Sequence, residues 1–135
     1  MDKLDLEIVT PERLVLSETV DEVVLPGTEG YLGVLPGHAP LLTALAPGAI
    51  SVRSGGRERF LAVSGGFVEV LRGRVSVLAT TCESADEIDL ERARRARERA
   101  EAILKGEASD SEFSRAEMKL KKALARIDVH GRGEG

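Results

Sequence analysis

Short apolar runs, separated by glycine and proline, occupy the first two thirds of the chain. In the first run, Leu4, Leu6 and Ile8 alternate with acidic residues, as expected of a strand with one buried face. Further runs rich in Val, Leu and Ile lie at 14–16, 20–25, 31–35, 41–45, 49–53, 59–63, 67–71 and 75–78. Glycine turns separate them, which is typical of an antiparallel sandwich or barrel. We therefore predict a β-sandwich domain over residues 1–85.

The period of the apolar positions changes after Glu87. From Ile88 to Leu104 the chain contains neither Gly nor Pro and is rich in Ala and Arg, a composition that favours helix. Lys105 and Gly106 then supply a basic last turn and a glycine C-cap. At 100° per residue one side of this helix carries small residues that allow close approach of a second helix: Ala93, Ala96, Ala100 and Leu104.

A second helix is predicted to begin at Ser109 or Asp110, either of which can cap it. Its apolar stripe is expected to consist of Phe113, Ala116, Leu120, Ala123, Leu124 and Ile127. Gly131 and Gly133 should end it. The two helices are close enough in sequence to pack as an antiparallel hairpin over residues 86–135. The predicted fold class is therefore α+β, with an N-terminal antiparallel β-sandwich followed by a C-terminal antiparallel two-helix hairpin.

The charge is divided between these two regions. The net charge is −4, but residues 1–87 carry 7 basic and 13 acidic residues, whereas residues 88–135 carry 12 and 10. Aromatic residues make up only 3% of the chain, so the core must be built from Val, Leu, Ile and Ala. The hairpin has few large apolar side chains, and we expect it to be only weakly committed to the sandwich, as a conformational switch requires.

Few residues suit catalysis or metal binding. The single cysteine, Cys82, rules out an internal disulfide and is expected to be a small buried hydrophobe. The two histidines, His38 and His130, form no pair at helical spacing, so no zinc site is expected, and the chain lacks a P-loop. The charged N-terminus is unlike a signal peptide, and no apolar run is long enough to span a bilayer. We therefore predict a protein that is not an enzyme and meets membranes only through a partner.

Five arginines fall within residues 92–99. The simplest interpretation is a solvated helix face. Nucleic-acid binding is disfavoured because the chain is acidic and few aromatic residues are available to stack on bases. A third interpretation is pairing with an acidic protein surface or with nucleotide phosphates, for which guanidinium groups are well suited.

A segment rich in glycine and proline lies at residues 26–40, PGTEGYLGVLPGHAP, and its pattern continues through Leu41, Leu42 and Thr43. We expect turns at Pro26-Gly27 and Pro36-Gly37, because proline fixes φ and glycine reaches positive φ. This pattern resembles the N-terminal domain of the epsilon subunit of bacterial F-type ATP synthases. The resemblance implies contact with the ring of c subunits through Thr28, Glu29, Gly30 and Tyr31, where some members have an acid in place of Tyr31. It also implies a gamma-subunit interface that includes His38, Pro40 and Leu42.

Residues 88–93, IDLERA, match the I/L-D-x-x-R-A motif of the epsilon subunits that bind ATP. Carried over to this chain, the resemblance implies that ATP contacts Glu83, Ile88, Asp89, Arg92, Ala93, Arg99 and Arg126. The chain departs from the pattern at Lys122, where members that bind ATP well have Arg. ATP, with magnesium, would be a regulatory ligand, and no cofactor would be required.

The resemblance further implies a non-catalytic subunit of the central stalk, which links gamma to the c ring and couples proton or sodium flow to rotation. An extended hairpin would meet the alpha and beta subunits and inhibit ATP hydrolysis through a basic face of Arg94, Arg95, Arg115, Lys119 and Lys122. The subunit would be peripheral, on the cytoplasmic face of the bacterial plasma membrane, with no nucleic-acid partner. Two alternatives are a free-standing ATP-sensing module and a small enzyme that uses the loop around His38.

Overall fold

The computed structural model describes residues 2–133 and contains ten strands, a short 3-10 turn and two helices. The strands are β1 (Leu4–Val9), β2 (Leu14–Val20), β3 (Glu22–Gly27), β4 (Gly30–Val34), β5 (Leu41–Leu45), β6 (Gly48–Ser54), β7 (Arg57–Val63), β8 (Gly66–Leu71), β9 (Arg74–Ala79) and β10 (Cys82–Ser84). The 3-10 turn (Ala85–Glu87) precedes α1 (Leu90–Lys105) and α2 (Asp110–Arg132). The predicted fold class, a sandwich followed by a helical hairpin, is confirmed.

The strands follow the order β10-β7-β6-β3-β5-β8-β9-β1-β2, and β4 pairs with β3. The sheet folds over between β3 and β5, where only Gly27 and Leu45 pair. Its two halves therefore face each other as two layers. Among the described residues, all strand pairings are antiparallel except that of β1 with β9, which is parallel. The predicted antiparallel sandwich thus contains one parallel pairing. No turn joins β1 to β9, since they lie far apart in the sequence, and their relative direction is therefore not set by a hairpin.

The core between the layers consists of Leu, Ile, Val and Ala side chains, as the composition predicted. Cys82 lies in it as a buried apolar residue, which was also predicted. Burial raises the pKa of the Cys82 thiol to about 12. The thiol is therefore protonated and unreactive in the folded protein.

The turns of the glycine- and proline-rich segment differ in part from the prediction. Pro36-Gly37 is a turn, in which the His38 amide donates to the Leu35 carbonyl at 3.1 Å and Gly37 has φ of +89°. Pro26 and Gly27, however, belong to β3, and the turn falls at residues 28–29. Residue pairs in an antiparallel ladder alternate between hydrogen-bonded and non-hydrogen-bonded positions. Pro26 occupies a non-hydrogen-bonded position opposite β4, where the strand needs no amide hydrogen.

The first helix begins two residues later than predicted. Ile88 is extended and buried, and Asp89 caps α1 by accepting a hydrogen bond from the Arg92 amide at 3.1 Å. The helix ends at Lys105, with Gly106 at the C-cap, as predicted. The extended backbone at Ile88 places its side chain against the sandwich instead of in the hairpin.

The second helix has the predicted cap but a later end. Ser109 accepts a hydrogen bond from the Glu112 amide at 3.2 Å, and the Glu112 carboxylate accepts one from the Ser109 amide at 3.0 Å. The helix continues through Gly131 and ends at Arg132, with Gly133 at the C-cap, where φ is +65°. Because one exposed glycine inside a helix costs only about 1 kcal/mol, Gly131 does not stop it.

The predicted apolar stripe of α2 is only partly buried. Ala116 and Ala123 are buried against α1, but Phe113 and Leu124 are exposed. The last turns of α2 instead bury Ala125 and Val129, which lie on a different side of the helix. The reason is that α2 packs on two surfaces, α1 for most of its length and strands β6 and β7 near its end.

The hairpin meets the sandwich through a small group of residues that we call the docking cluster: Ala49, Ala62, Ala85, Ile88 and Val129, with Phe60 at its edge. The Arg132 guanidinium lies 4.5 Å from the centre of the Phe60 ring. The first helix packs chiefly on the second. Docking therefore depends on the end of α2 and on the connection that carries Ile88.

Candidate nucleotide-binding groove and subunit-contact surfaces

A groove of about 360 Å³ opens where the connection after β10 meets both helices. Its lining residues are Glu83, Glu87, Asp89, Arg92, Ala93, Ala96, Arg99 and Arg126. Six of the seven residues implied for ATP binding thus line one groove. The seventh, Ile88, is buried in the docking cluster instead.

Each arginine of this groove is positioned by regular structure. Arg92 and Arg99 are seven residues apart on α1, which places them on the same side of that helix. Arg126 comes from α2, and its Nε lies 2.5 Å from Oε1 of Glu83 on β10. This ion pair connects the second helix directly to the edge of the sandwich.

Glu87 also lines the groove, and the sequence motif did not include it. Its carboxylate accepts hydrogen bonds from the Ser84 amide at 3.0 Å and from Arg13 Nη2 at 3.0 Å. The Ser84 amide, followed by the Arg13 guanidinium, lowers the pKa of the Glu87 carboxyl. Arg13 lies in the turn between β1 and β2, so no local pattern in the sequence could have associated it with this groove.

The carboxylates around the groove are all engaged. Glu83 pairs with Arg126, Glu87 with Arg13, and Asp89 caps α1. Arg92 and Arg99, by contrast, have no side-chain hydrogen bond or ion pair within residues 2–133. The charge left available to a ligand is therefore positive, which suits a polyphosphate.

A second groove, of about 300 Å³, continues from the first and shares Ala96, Arg99 and Arg126 with it. It is completed by Ala100, Ile103, Lys119, Lys122 and Ala123. Lys122, the position that departs from the family pattern, thus faces the same space as Arg99 and Arg126. The two grooves together form a cationic channel between the helices, with alanine at its base.

The five residues expected to form one basic face are divided. Lys119 and Lys122 line the second groove. Arg94 and Arg95 are exposed and lie 3.6 and 3.8 Å from Glu91 on the same helix. Arg115 is exposed near the start of α2.

The four residues expected to contact a c ring lie together at the tip of the β3–β4 hairpin, and all are exposed. Tyr31 is 62% exposed, yet its hydroxyl accepts a hydrogen bond from the Ala49 amide at 3.1 Å. Gly48 makes room for this contact, because a Cβ atom there would lie 2.8 Å from the hydroxyl oxygen. Tyr31 therefore holds the tip against β6.

The residues expected at a gamma interface lie beside an apolar surface that the sequence analysis missed. His38 and Pro40 precede β5, and Leu42 on that strand is 71% exposed. On the same face, Ala44 pairs with Phe67, and Phe67 pairs with Leu78 across β5, β8 and β9. Phe67 and Leu78 are 56% and 58% exposed. They alternate with buried Val68 and Val77, a pattern that could have revealed an apolar outer face.

Comparison with known proteins identifies the family. The model of the ATP synthase delta/epsilon chain β-sandwich domain matches residues 3–85, and that of the long α-helix domain of the same chain matches residues 86–131. The chain belongs to the delta/epsilon chain family of ATP synthases. This confirms the resemblance found in the sequence and, with it, the prediction of a non-catalytic subunit.

Similar relatives within the family are named ATP synthase epsilon chain. One, from Desulforamulus reducens, is 53% identical over 90% of this chain and 92% of its own length. Another, from Nitratidesulfovibrio vulgaris, is 49% identical over 95% of this chain and 96% of its own. A chain in the cryo-EM structure of the Euglena gracilis mitochondrial ATP synthase, which includes the c-ring, has a TM-score of 0.83 and 27% identity over 95% of this chain and 81% of that one. A chain of the Tetrahymena thermophila enzyme, at 16% identity and a TM-score of 0.64, shares the fold.

Two further features bear on membranes and metals. Between residues 2 and 133, no helix combines the length and the apolar character needed to cross a bilayer. The same part of the chain contains no group of three or more His, Cys, Asp or Glu side chains arranged to hold a metal ion.

Proposed function

We propose that this chain works in the central stalk of an F-type ATP synthase, where it joins the gamma subunit to the c ring and regulates ATP hydrolysis. The observation that carries this proposal is the exposed apolar surface of Leu42, Phe67 and Leu78 on a chain that belongs to the ATP synthase family. Apolar surface of this kind is normally covered by a partner. Gamma is the partner we assign to it, together with His38 and Pro40 beside it.

A matched pair of variants tests the gamma interface in the assembled complex. Phe67→Ser should weaken co-purification with gamma by about tenfold or more, because burial of a phenylalanine contributes about 1.5–3 kcal/mol. Phe113→Ser removes a similarly exposed ring from the hairpin and should have no such effect. Equal retention of gamma by both variants would reject this interface.

The tip of the β3–β4 hairpin is proposed to contact the c ring. It projects from the sandwich as a tight two-residue turn, and the Tyr31 hydroxyl bond braces it. Through this contact, rotation of the c ring, driven by ion flow, would be transmitted to the central stalk. It would also keep the chain peripheral to the membrane, on the cytoplasmic face, with no span of its own.

The groove between the helices is proposed to bind ATP. Arg92 and Arg99, whose side chains make no hydrogen bond or ion pair within the described residues, would hold phosphates, with Arg126 and Lys122 further along the channel. The base would lie near Ala93 and the carboxylates of Glu83 and Asp89. Magnesium would arrive bound to the phosphates of the nucleotide.

Calorimetry of the full chain with ATP and magnesium tests this site. Arg92→Gln with Arg99→Gln should abolish the binding heat. Arg94→Gln with Arg95→Gln changes the charge of the same helix by the same amount outside both grooves and should preserve it. Absence of heat from the unaltered chain at millimolar ATP would reject the site.

Regulation would follow from the limited contact between hairpin and sandwich. Bound ATP would favour the folded hairpin by contacting both helices and the β10 connection at once. Without ATP, the extended hairpin would present its arginines and lysines to acidic segments of the alpha and beta subunits. Deleting residues 88–135 should then raise ATP hydrolysis by the complex while assembly and coupling persist, and unchanged hydrolysis would remove the inhibitory role.

A free-standing ATP sensor is the second candidate, because the groove shares no residue with the exposed apolar surface that we assign to gamma. Such a protein would bind ATP but would not co-purify with gamma or the c ring. Affinity purification of the tagged chain from its host therefore separates the two candidates.

A further inference from the structure

Arg13 connects two regions of the sandwich that are remote in sequence. It ends the turn between β1 and β2, where the Thr10 amide donates to the Arg13 carbonyl at 2.9 Å. The Thr10 hydroxyl also accepts hydrogen bonds from the amides of Glu12 and Arg13, each at 3.3 Å. These hydrogen bonds fix the conformation of the turn. They direct the Arg13 side chain across the edge of the sandwich toward β10.

The guanidinium binds the connection that leads from the sandwich into the hairpin. Its Nη2 donates to the Cys82 carbonyl at 3.2 Å and lies 2.9 Å from Oε2 of Glu87. Cys82 belongs to the core, so its carbonyl is a fixed anchor. A small neighbouring cavity of about 180 Å³ is lined by Arg13, Glu83 and Arg126 among others, which places Arg13 directly behind the Glu83–Arg126 pair.

The charge of Glu87 decides what Arg13 contributes. Glu87 lines the proposed nucleotide groove, so its carboxylate would repel a triphosphate bound there. Glu83 is neutralised by Arg126 from within the groove, and Asp89 by the start of α1. Glu87 alone depends on a cation from outside the groove, namely Arg13.

We propose that Arg13 is a positioning residue of the nucleotide groove: it neutralises Glu87 and holds the segment from Cys82 to Glu87 in place, so that Arg92 and Arg99 act on the phosphates unopposed. This inference rests on the proposed binding of ATP in that groove. It adds a residue from the β1–β2 turn, which does not line the groove, to the determinants of nucleotide affinity.

A double-mutant cycle on the full chain separates this role from a merely structural one. Arg13→Gln should weaken ATP binding about five- to tenfold, the scale of one uncompensated charge across a partly exposed groove. Glu87→Gln should bind ATP more tightly than the unaltered chain, because it removes the repelling carboxylate while the Gln oxygen can still accept the Ser84 hydrogen bond. The double variant should recover affinity to within about twofold of the unaltered chain, because no unpaired charge is then present.

Three controls complete the experiment. Arg74→Gln removes an equally charged residue that pairs with Glu7, away from the groove, and should leave the affinity unchanged. Arg13→Lys should retain most of the affinity, because it keeps the charge. At about 1 M salt, where the Debye length falls to about 3 Å, the difference between Arg13→Gln and the unaltered chain should shrink.

The outcomes distinguish this inference from the proposal on which it rests. If the unaltered chain binds no ATP, the nucleotide site is rejected and the role of Arg13 with it. If the chain binds ATP but Arg13→Gln binds it equally well, the inference alone is rejected. A double variant as weak as Arg13→Gln would also overturn it, because the loss would then come from disturbed structure and not from the charge of Glu87.

Discussion

Val129 offers the most direct test of how the hairpin is held. Its side chain is 0% exposed and packs in the docking cluster among Ala49, Ala62, Ala85 and Ile88. The perturbation is Val129→Ala, which removes two methyl groups from the centre of this contact and leaves the charges of α2 unchanged. We expect the variant to loosen the hairpin without unfolding the sandwich.

The magnitude follows from the neighbours of Val129. Two buried methyl groups contribute about 0.8 kcal/mol each, and the cavity left behind raises the loss to about 2 kcal/mol. Three of the five residues in the cluster are alanines, which have no rotamers with which to fill the space. Alanine is a better helix former than valine by about 0.5 kcal/mol, which offsets part of the loss. The docking free energy should therefore fall by about 1.5 kcal/mol, about tenfold in the docking equilibrium.

Native-state hydrogen exchange of the full chain is the appropriate assay. Amides in the last two turns of α2 should exchange about tenfold faster in Val129→Ala, while those of β1 and β9 keep their rates. Leu124→Ala is the control on the same helix, because this leucine is exposed and should have little effect. Val68→Ala, in the sandwich core, should instead accelerate exchange in the strands.

Two results would refute this reasoning. Unchanged exchange at the end of α2 would mean that the docking cluster contributes little to holding the hairpin. Equal acceleration in α2 and in the strands would mean that the hairpin and the sandwich open as one cooperative unit. In that case the hairpin could not act as an independent switch.

Three other residues have predictable behaviour. Gly66 has φ of +136°, and a Cβ atom there would lie 2.1 Å from the Leu78 carbonyl oxygen. Gly66→Ala should therefore lower the free energy of unfolding of the sandwich by more than about 2 kcal/mol. A denaturant titration measures this change, and an unchanged midpoint would contradict the prediction. The Cys82 thiol, with its pKa raised by burial to about 12, should react with a thiol reagent at pH 8 only when the sandwich opens, so labelling at the rate of a free thiol would disprove its protection. The pKa of the Glu87 carboxyl is lowered from its ordinary value of 4.5, chiefly by the hydrogen bond from the Ser84 amide. The Glu87 carboxylate therefore stabilises the folded protein fully above pH 4.5, and this stabilisation is lost as the pH falls through the lowered pKa. An NMR titration that places the pKa of Glu87 at or above 4.5 would contradict this hydrogen bond.

Local patterns predicted most of the strands, the C-cap of α1 and the N-cap of α2. The alternation of Leu4, Leu6 and Ile8 produced β1, because burial of one face at period two depends only on neighbouring residues. The Ser109 cap was predictable for the same reason, since its partner Glu112 is three residues away. The strand β10 was missed because it is three residues long, too short to show a period.

The candidate site was predictable only where its residues share a short motif. Residues 88–93 pointed to Asp89 and Arg92, and the structure places both on the groove. Nothing near Glu87 in the sequence indicates Arg13, whose contact spans 74 residues. The exposed face of Phe67 and Leu78 was likewise missed, because pairing across β8 and β9 brings them together.

The sequence by itself determined most of the strands, the C-cap of α1 and the N-cap of α2, because caps and periodicity involve groups only a few residues apart. Only the tertiary structure decided that β1 runs parallel to β9, that the end of α2 packs on the sandwich through Val129, and that Arg13 reaches Glu87. These contacts depend on how the layers and the hairpin pack against one another. Their free energies come from burial and charge pairing between residues that no local pattern relates.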